Sequence, residues 1–194
     1  MQQLKKIVVI GPESTGKSTL CTQLAAHYQT HWVPEYAREY LLRHGTDYRF
    51  EQLLEIAKGQ RRLEEEGVQR VREKWIMDNG RVDNGDIRKQ LPVFIDTDMY
   101  VMKVWCEFVF GHCHTWILDR LVEQEYDLYL LAGIDAPWVK DELREYPDYA
   151  TREKLYHHYR DALMQQHVPW VEISGSYEER LQKAIQAVDQ LLQD

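Results

Sequence analysis

Cysteine is scarce in this chain: Cys21, Cys106 and Cys113 are the only three in 194 residues. An odd number at spacings that suit no disulfide framework excludes a small stapled secreted fold and fits a reducing cytoplasm. Long apolar runs are missing too. Residues 7–10 follow the first six residues directly and form a run far too short for a signal peptide or a membrane span. Positive charge is in deficit, with 24 Lys and Arg against 32 Asp and Glu, a net charge of −8. Such a surface repels phosphate backbones and anionic lipids, so neither nucleic acid nor membrane is expected as a partner. A local basic pocket for one nucleotide remains compatible with that total.

There is no internal repeat, no low-complexity tract and no linker-like stretch, so one domain is expected over 1–194. No N-K-x-D sequence is present, which argues against guanine reading. Cys106, His112, Cys113 and His114 lack the paired spacing of a structural zinc site and read as core and helix-end residues.

What is present is an alternation of strands and helices. Ile7-Val8-Val9-Ile10 is a β-branched run, apolar on both faces, and reads as a central parallel strand. Further strands are expected over 31–33, 92–96, 126–131 and 170–173. Helices are expected over 17–29, 35–43, 50–75, 99–110, 115–124 and 149–166, and from residue 177 onward. The Glu64-Glu65-Glu66 run reads as the solvated face of the 50–75 helix. The stretch 78–90 holds two Asn-Gly dipeptides and reads as a loop or mobile excursion, and 133–148 as a charged, proline-bracketed lid. The implied fold is α/β: a five-stranded parallel sheet with helices on both faces, a P-loop sandwich of the nucleoside- and nucleotide-kinase kind.

Gly11-Pro12-Glu13-Ser14-Thr15-Gly16-Lys17-Ser18 matches G-x-x-x-x-G-K-[ST] between that strand and a helix. The two glycines let the backbone turn and approach phosphate, and the successive N–H groups face one concavity at a helix N-terminus. Lys17 reaches the β- and γ-phosphates of ATP, and the Ser18 hydroxyl suits Mg²⁺. Thr19 either bonds the α-phosphate or faces solvent. In Phe94-Ile95-Asp96-Thr97-Asp98 the acids end a buried strand, the position from which Asp96 would hold the metal shell. Asp98 caps the next helix, binds acceptor, or both.

Pro34-Glu35-Tyr36-Ala37-Arg38-Glu39 follows the second strand, where a small-molecule acceptor must approach the γ-phosphate. Glu35 can take the acceptor's proton, or it can serve only the helix dipole with Arg38 as its i+3 partner. In the lid lie Asp135, Trp138, Lys140, Asp141 and Arg144, and Arg144, with Arg152 second, suits charge on the transferred phosphoryl. The turn at Ile173-Ser174-Gly175-Ser176 suits a base by position. Arg38, Arg43 and Arg49 could serve a phosphorylated acceptor. A homo-oligomer is compatible with all of this.

Together, the segments 10–18, 34–39, 94–98 and Asp135-Ala136-Pro137-Trp138-Val139 resemble the ribosylnicotinamide kinase domain of NadR-type proteins, in order and spacing across nearly the whole chain. The resemblance implies that ATP and Mg²⁺ are used to phosphorylate ribosylnicotinamide to nicotinamide mononucleotide. It matches Lys17 and Ser18 to the phosphate loop and Asp96 to the acid after the third strand. It matches Glu35, Tyr36 and Arg38 to the acceptor side, and Trp138, Asp141 and Arg144 to the lid. The nucleotidyltransferase and DNA-binding domains often found in the family are not seen, so adenylyl transfer and repression are not expected. The 78–90 stretch also looks longer than the family pattern. A eukaryotic branch of the family implies the alternative of a nucleotide-dependent binding module, and a kinase for another nucleoside or nucleotide is a third reading.

Overall fold

The computed structural model describes residues 3–79 and 90–193. In chain order the elements are β1 (Gln3–Ile10), α1 (Lys17–Tyr28), β2 (Trp32–Val33), α2 (Tyr36–His44), α3 (Phe50–Asn79) and β3 (Gln90–Asp96). There follow α4 (Met99–Phe110), α5 (Thr115–Glu123), β4 (Leu128–Ala132), α6 (Tyr149–Met164), β5 (Trp170–Ile173) and α7 (Tyr177–Gln193). The strands form one parallel sheet in the order β2-β3-β1-β4-β5. The expected five-stranded parallel sheet with helices on both faces is therefore what the chain forms. The 78–90 stretch lies mostly outside the described residues: residues 78–79 end α3 and Gln90 opens β3.

Strand pleating explains why the central runs are apolar throughout. Val8, Ile10, Val93, Ile95, Tyr129 and Leu131 point to one face, where α3, α4 and α6 pack. Ile7, Val9, Phe94, Leu128 and Leu130 point to the other, under α1 and α7. A third cluster joins α2, α3, α4 and α5 through Tyr40, Leu53, Ile56, Met99, Met102 and Ile117. Among the described residues no helix is long and apolar enough to cross a membrane.

The Glu64-Glu65-Glu66 run is not all solvated. Glu64 is only 3% exposed; it accepts the Tyr126 hydroxyl at 2.7 Å and pairs with Lys6 Nζ at 3.4 Å. A helix turns about 100° per residue, so three consecutive acids cannot share one face. Glu64 continues the inward row of Leu53, Ile56, Ala57 and Gln60. The 126–131 strand starts later than expected, at Leu128, because Tyr126 turns its ring to Glu64.

Glycine in the middle of α3 also has a packing cause. A Cβ built at Gly59 would stand 2.1 Å from the Tyr36 ring. Gly59→Ala is expected to destabilise by about 1–2 kcal/mol. Overpacking of about 1–3 kcal/mol outweighs the helix-propensity gain of about 1 kcal/mol. Urea unfolding checks it; a stabilised variant would show that Tyr36 moves freely.

Candidate active site

β1 ends at Ile10 and the chain turns sharply. Gly11 has φ 142°, and a Cβ there would lie 2.7 Å from the Ala132 carbonyl of β4, so the turn tolerates only glycine. Ser14 and Gly16 take left-handed conformations, φ 58° and 80°. Thr15 is buried and closes the loop internally, its hydroxyl donating to Pro12 O at 2.8 Å. Gly16 caps α1 with no side-chain cap bond, leaving the N–H groups of the first turn to face outward. Lys17 Nζ donates to Pro12 O at 2.9 Å, folded over the loop it would serve.

A residue that local sequence does not reveal fixes this loop from behind. Arg180 of α7 is 5% exposed and donates to the Thr15, Gly133 and Gly175 carbonyls at 2.8–3.0 Å, and to the Asp135 carboxylate. It ties the phosphate loop to the start of the lid and to the Ile173–Ser176 turn. In sequence it is one charge on a helix full of charges.

Asp96, at the end of β3, is fully buried and accepts the Ser18 hydroxyl at 2.5 Å. Its carboxyl is pushed up to about 6, first by burial and then by the nearby charge of Glu35, with Lys17 opposing. Glu35 occupies the α2 N-cap position but makes no side-chain cap bond. Its carboxylate turns instead toward Thr97 Oγ1, at 3.5 Å, and lines the cleft. Gln60, buried on α3, fixes the two acids relative to each other. It accepts the Tyr36 N–H at 2.7 Å and donates to the Pro34 and Asp96 carbonyls at 3.4 and 3.3 Å. A polar residue on the apolar stripe of α3 was the signal that could have singled it out.

The cleft is lined by the phosphate loop, Thr19, Glu35, Arg38 and Arg144, with Val101, Trp105, Phe108, Tyr146, Leu155 and Tyr159 as its apolar wall. Five of the expected site residues are not in this lining: Asp96 lies buried beneath Ser18, and Tyr36, Trp138, Asp141 and Asp98 are engaged as follows. Tyr36 packs its ring on Gly59 of α3. Trp138 points its indole N–H at Glu13, 3.5 Å away. Asp141 forms a two-pronged ion pair with Arg38, at 2.9 and 3.3 Å, joining lid to α2. That pair holds the Asp141 carboxyl below its usual range. Arg38 is hydrogen-bonded to the lid through Asp141, with the charge of Glu35 also nearby. Asp98 is fully buried: it caps α4 by accepting the Tyr100 and Val101 N–H groups, and it accepts the Tyr129 hydroxyl at 2.7 Å. Arg152 is buried against the Ile134 and Ala136 carbonyls, away from the cleft. Arg43 pairs with Glu39 on the exposed face of α2, and neither Arg43 nor Arg49 lines the cleft. His114, from the discounted Cys/His group, stacks on Phe50 and meets its carbonyl at 2.8 Å.

Burial pushes the Asp98 carboxyl up to about 7, against the hydrogen bonds from Tyr129 and Val101. Unfolded, it titrates near 4. Between about 4 and 7 the folded chain keeps a proton that the unfolded chain has released, so stability from this group falls as pH rises through that window. Asn can keep the cap without the charge. Relative to Asp98→Asn, the parent protein is expected to lose roughly 2–4 kcal/mol between pH 4.5 and 8. Denaturant melts of both at the two pH values check this; a constant difference would contradict it.

Ser18 and Asp96 fit a magnesium ion. A hydroxyl and one carboxylate, both hard oxygen donors in contact, are what Mg²⁺ uses when water and phosphate complete its shell.

The family model described as an AAA domain matches residues 6–180. The trifunctional NAD biosynthesis/regulator protein NadR of Escherichia coli K12 is 24% identical over 194 residues, covering 97% of this chain and 43% of its own length. The chain thus spans less than half of that curated relative. A crystal structure of NadR protein in complex with NR superposes with TM-score 0.75 at 22% identity, over 98% of this chain and 50% of the other. Thymidylate kinase from Ehrlichia chaffeensis superposes with TM-score 0.64 at 13% identity, over 96% and 99%. Both structures share the fold.

Proposed function

This chain belongs to the AAA domain family, and we propose that it is a small-molecule kinase that moves the γ-phosphate of ATP to a nucleoside, most specifically to ribosylnicotinamide. The observation that carries the proposal is the contact of Ser18, which lines the cleft, with the buried Asp96 beneath it, in a cleft that also holds the phosphate loop and Glu35. A polyphosphate cradle next to a free carboxylate is what phosphoryl transfer to a hydroxyl requires.

In this mechanism the backbone N–H groups of residues 13–18 hold the β- and γ-phosphates, and Lys17 swings from Pro12 O to them. Ser18 and Asp96 would hold Mg²⁺, which when bound would offset the negative charge of the polyphosphate. Glu35 orients the acceptor hydroxyl and takes its proton as transfer proceeds. Arg144 faces the cleft from the lid and meets charge on the transferred group.

Three features favour an unphosphorylated acceptor with a cationic aromatic ring. Arg38 is already paired with Asp141, and Arg43 and Arg49 stand outside the cleft, so an acceptor phosphate would find few cations. Trp105, Phe108, Tyr146 and Tyr159 bring aromatic rings to the lining. Glu35 and Glu145 add negative charge to the same lining, alongside Lys17 and Arg144. The pyridinium of ribosylnicotinamide suits both. The name of the Escherichia coli relative and the NR in the related structure support the same choice. The test is ADP release from ATP·Mg²⁺ against a panel of ribosylnicotinamide, common ribonucleosides and deoxyribonucleosides. Ribosylnicotinamide is expected to give the highest kcat/KM; a higher value for a neutral nucleoside would overturn that specificity.

A further inference from the structure

Phosphate recognition by a G-x-x-x-x-G-K loop uses backbone N–H groups, so the side chains between the glycines are free for other work. Two of them meet the lid here. Glu13 accepts the backbone N–H of Tyr146 at 2.7 Å through Oε1 and that of Glu145 at 2.9 Å through Oε2. Ser14 Oγ accepts the Val139 N–H at 2.9 Å. Two successive N–H groups on one carboxylate form a charge-assisted pair, stronger than neutral hydrogen bonds. The far edge of the same segment is held independently. Arg38 grips Asp141, and the Tyr48 hydroxyl donates to the Glu145 carboxylate at 3.0 Å. Residues 138–146 are thus pinned to both walls of the cleft, and Glu13 is the pin on the phosphate side.

We propose that Glu13 is a positioning residue that docks the 138–146 segment onto the phosphate loop and so keeps water from the γ-phosphate. The water-exclusion part rests on the kinase reading above; the docking does not. With the segment undocked, water takes the place of the acceptor hydroxyl. Its oxygen bonds to the γ-phosphorus, the bond to the ADP oxygen breaks, and inorganic phosphate, ADP and a proton leave. Glu13 touches no reacting atom in this scheme.

The full-length protein carrying Glu13→Gln tests it. Glutamine keeps the length but turns one acceptor oxygen into an NH₂ donor, which then opposes an N–H. Residue-resolved hydrogen exchange is expected to speed up about tenfold at the Glu145 and Tyr146 amides, the loss that fits one charged hydrogen bond. In the presence of ATP·Mg²⁺ and nucleoside acceptor, the ratio of inorganic phosphate to phosphorylated acceptor is expected to rise by about the same factor. Ser14→Gly is the second variant. Glycine adopts φ 58° without strain, so the loop keeps its shape while the Val139 amide loses its acceptor and exchanges faster. Unchanged exchange at 145 and 146 in Glu13→Gln would overturn the docking. Faster exchange with an unchanged product ratio would overturn the water-exclusion role. Exchange needs no turnover, so a parent protein that phosphorylates no acceptor refutes the kinase reading alone, and the docking is still decided by the amides.

Discussion

Lys17→Ala is expected to abolish phosphoryl transfer, lowering kcat by about 10³ or more, while leaving the fold in place. In the structure Lys17 makes one side-chain hydrogen bond, to Pro12 O at the cleft, so its removal costs the protein little. A melting temperature within a few degrees of the parent is expected. The asymmetry is the point: a side chain expected to contribute little to stability rests on Pro12 O at the edge of the phosphate loop, from which it can swing to the β- and γ-phosphates. Transfer assays alongside thermal melts check both halves. Transfer at the parent rate would remove Lys17 from the chemistry, and collapse of the fold would make it a structural residue instead.

Asp96→Asn carries the second largest effect. The substitution keeps a polar group against Ser18 but removes the carboxylate in contact with that hydroxyl. A fall of about 10²–10³ in transfer is expected, with weakened dependence on Mg²⁺ concentration. Stability is expected to hold or rise, since the variant no longer buries a charge beside Glu35. The pH profile supplies a separate check. Burial and the charge of Glu35 push the parent's Asp96 carboxyl up to about 6, so kcat/KM is expected to climb as pH rises through that region and the carboxylate forms. Asp96→Asn should lose that limb. A parent profile flat from pH 5 to 8 would mean that Asp96 is already ionised or plays no part.

Which features could be read from the sequence follows from how local their causes are. The phosphate loop is fixed by glycines and a flanking β-branched strand within residues 7–18, so its place was legible. The parallel sheet followed from strand–helix alternation for the same reason. Asp98 shows the limit. An acid after a buried strand suits acceptor, metal or helix cap alike. Only the Tyr129 hydroxyl, 31 positions away, and the two α4 amides show where this one is spent. For Arg38, spacing offered an acceptor-side role or an i+3 pairing with Glu35; its hydrogen-bond partner, Asp141, lies 103 residues on. Gln60, Arg180 and the Glu13 contacts with the lid are likewise long-range, and no window of sequence holds both ends. Glu64 was in principle readable: its spacing from Gln60, Ala57 and Leu53 places it inward, but a run of three like charges hid the period.

The most direct measurement is to incubate the protein with ATP, Mg²⁺ and ribosylnicotinamide and follow phosphorus by NMR. The account requires a new phosphomonoester resonance to grow in step with ADP, one for one, and to be missing with Lys17→Ala. Tight ATP binding with ADP appearing only alongside inorganic phosphate, for every nucleoside offered, would contradict it.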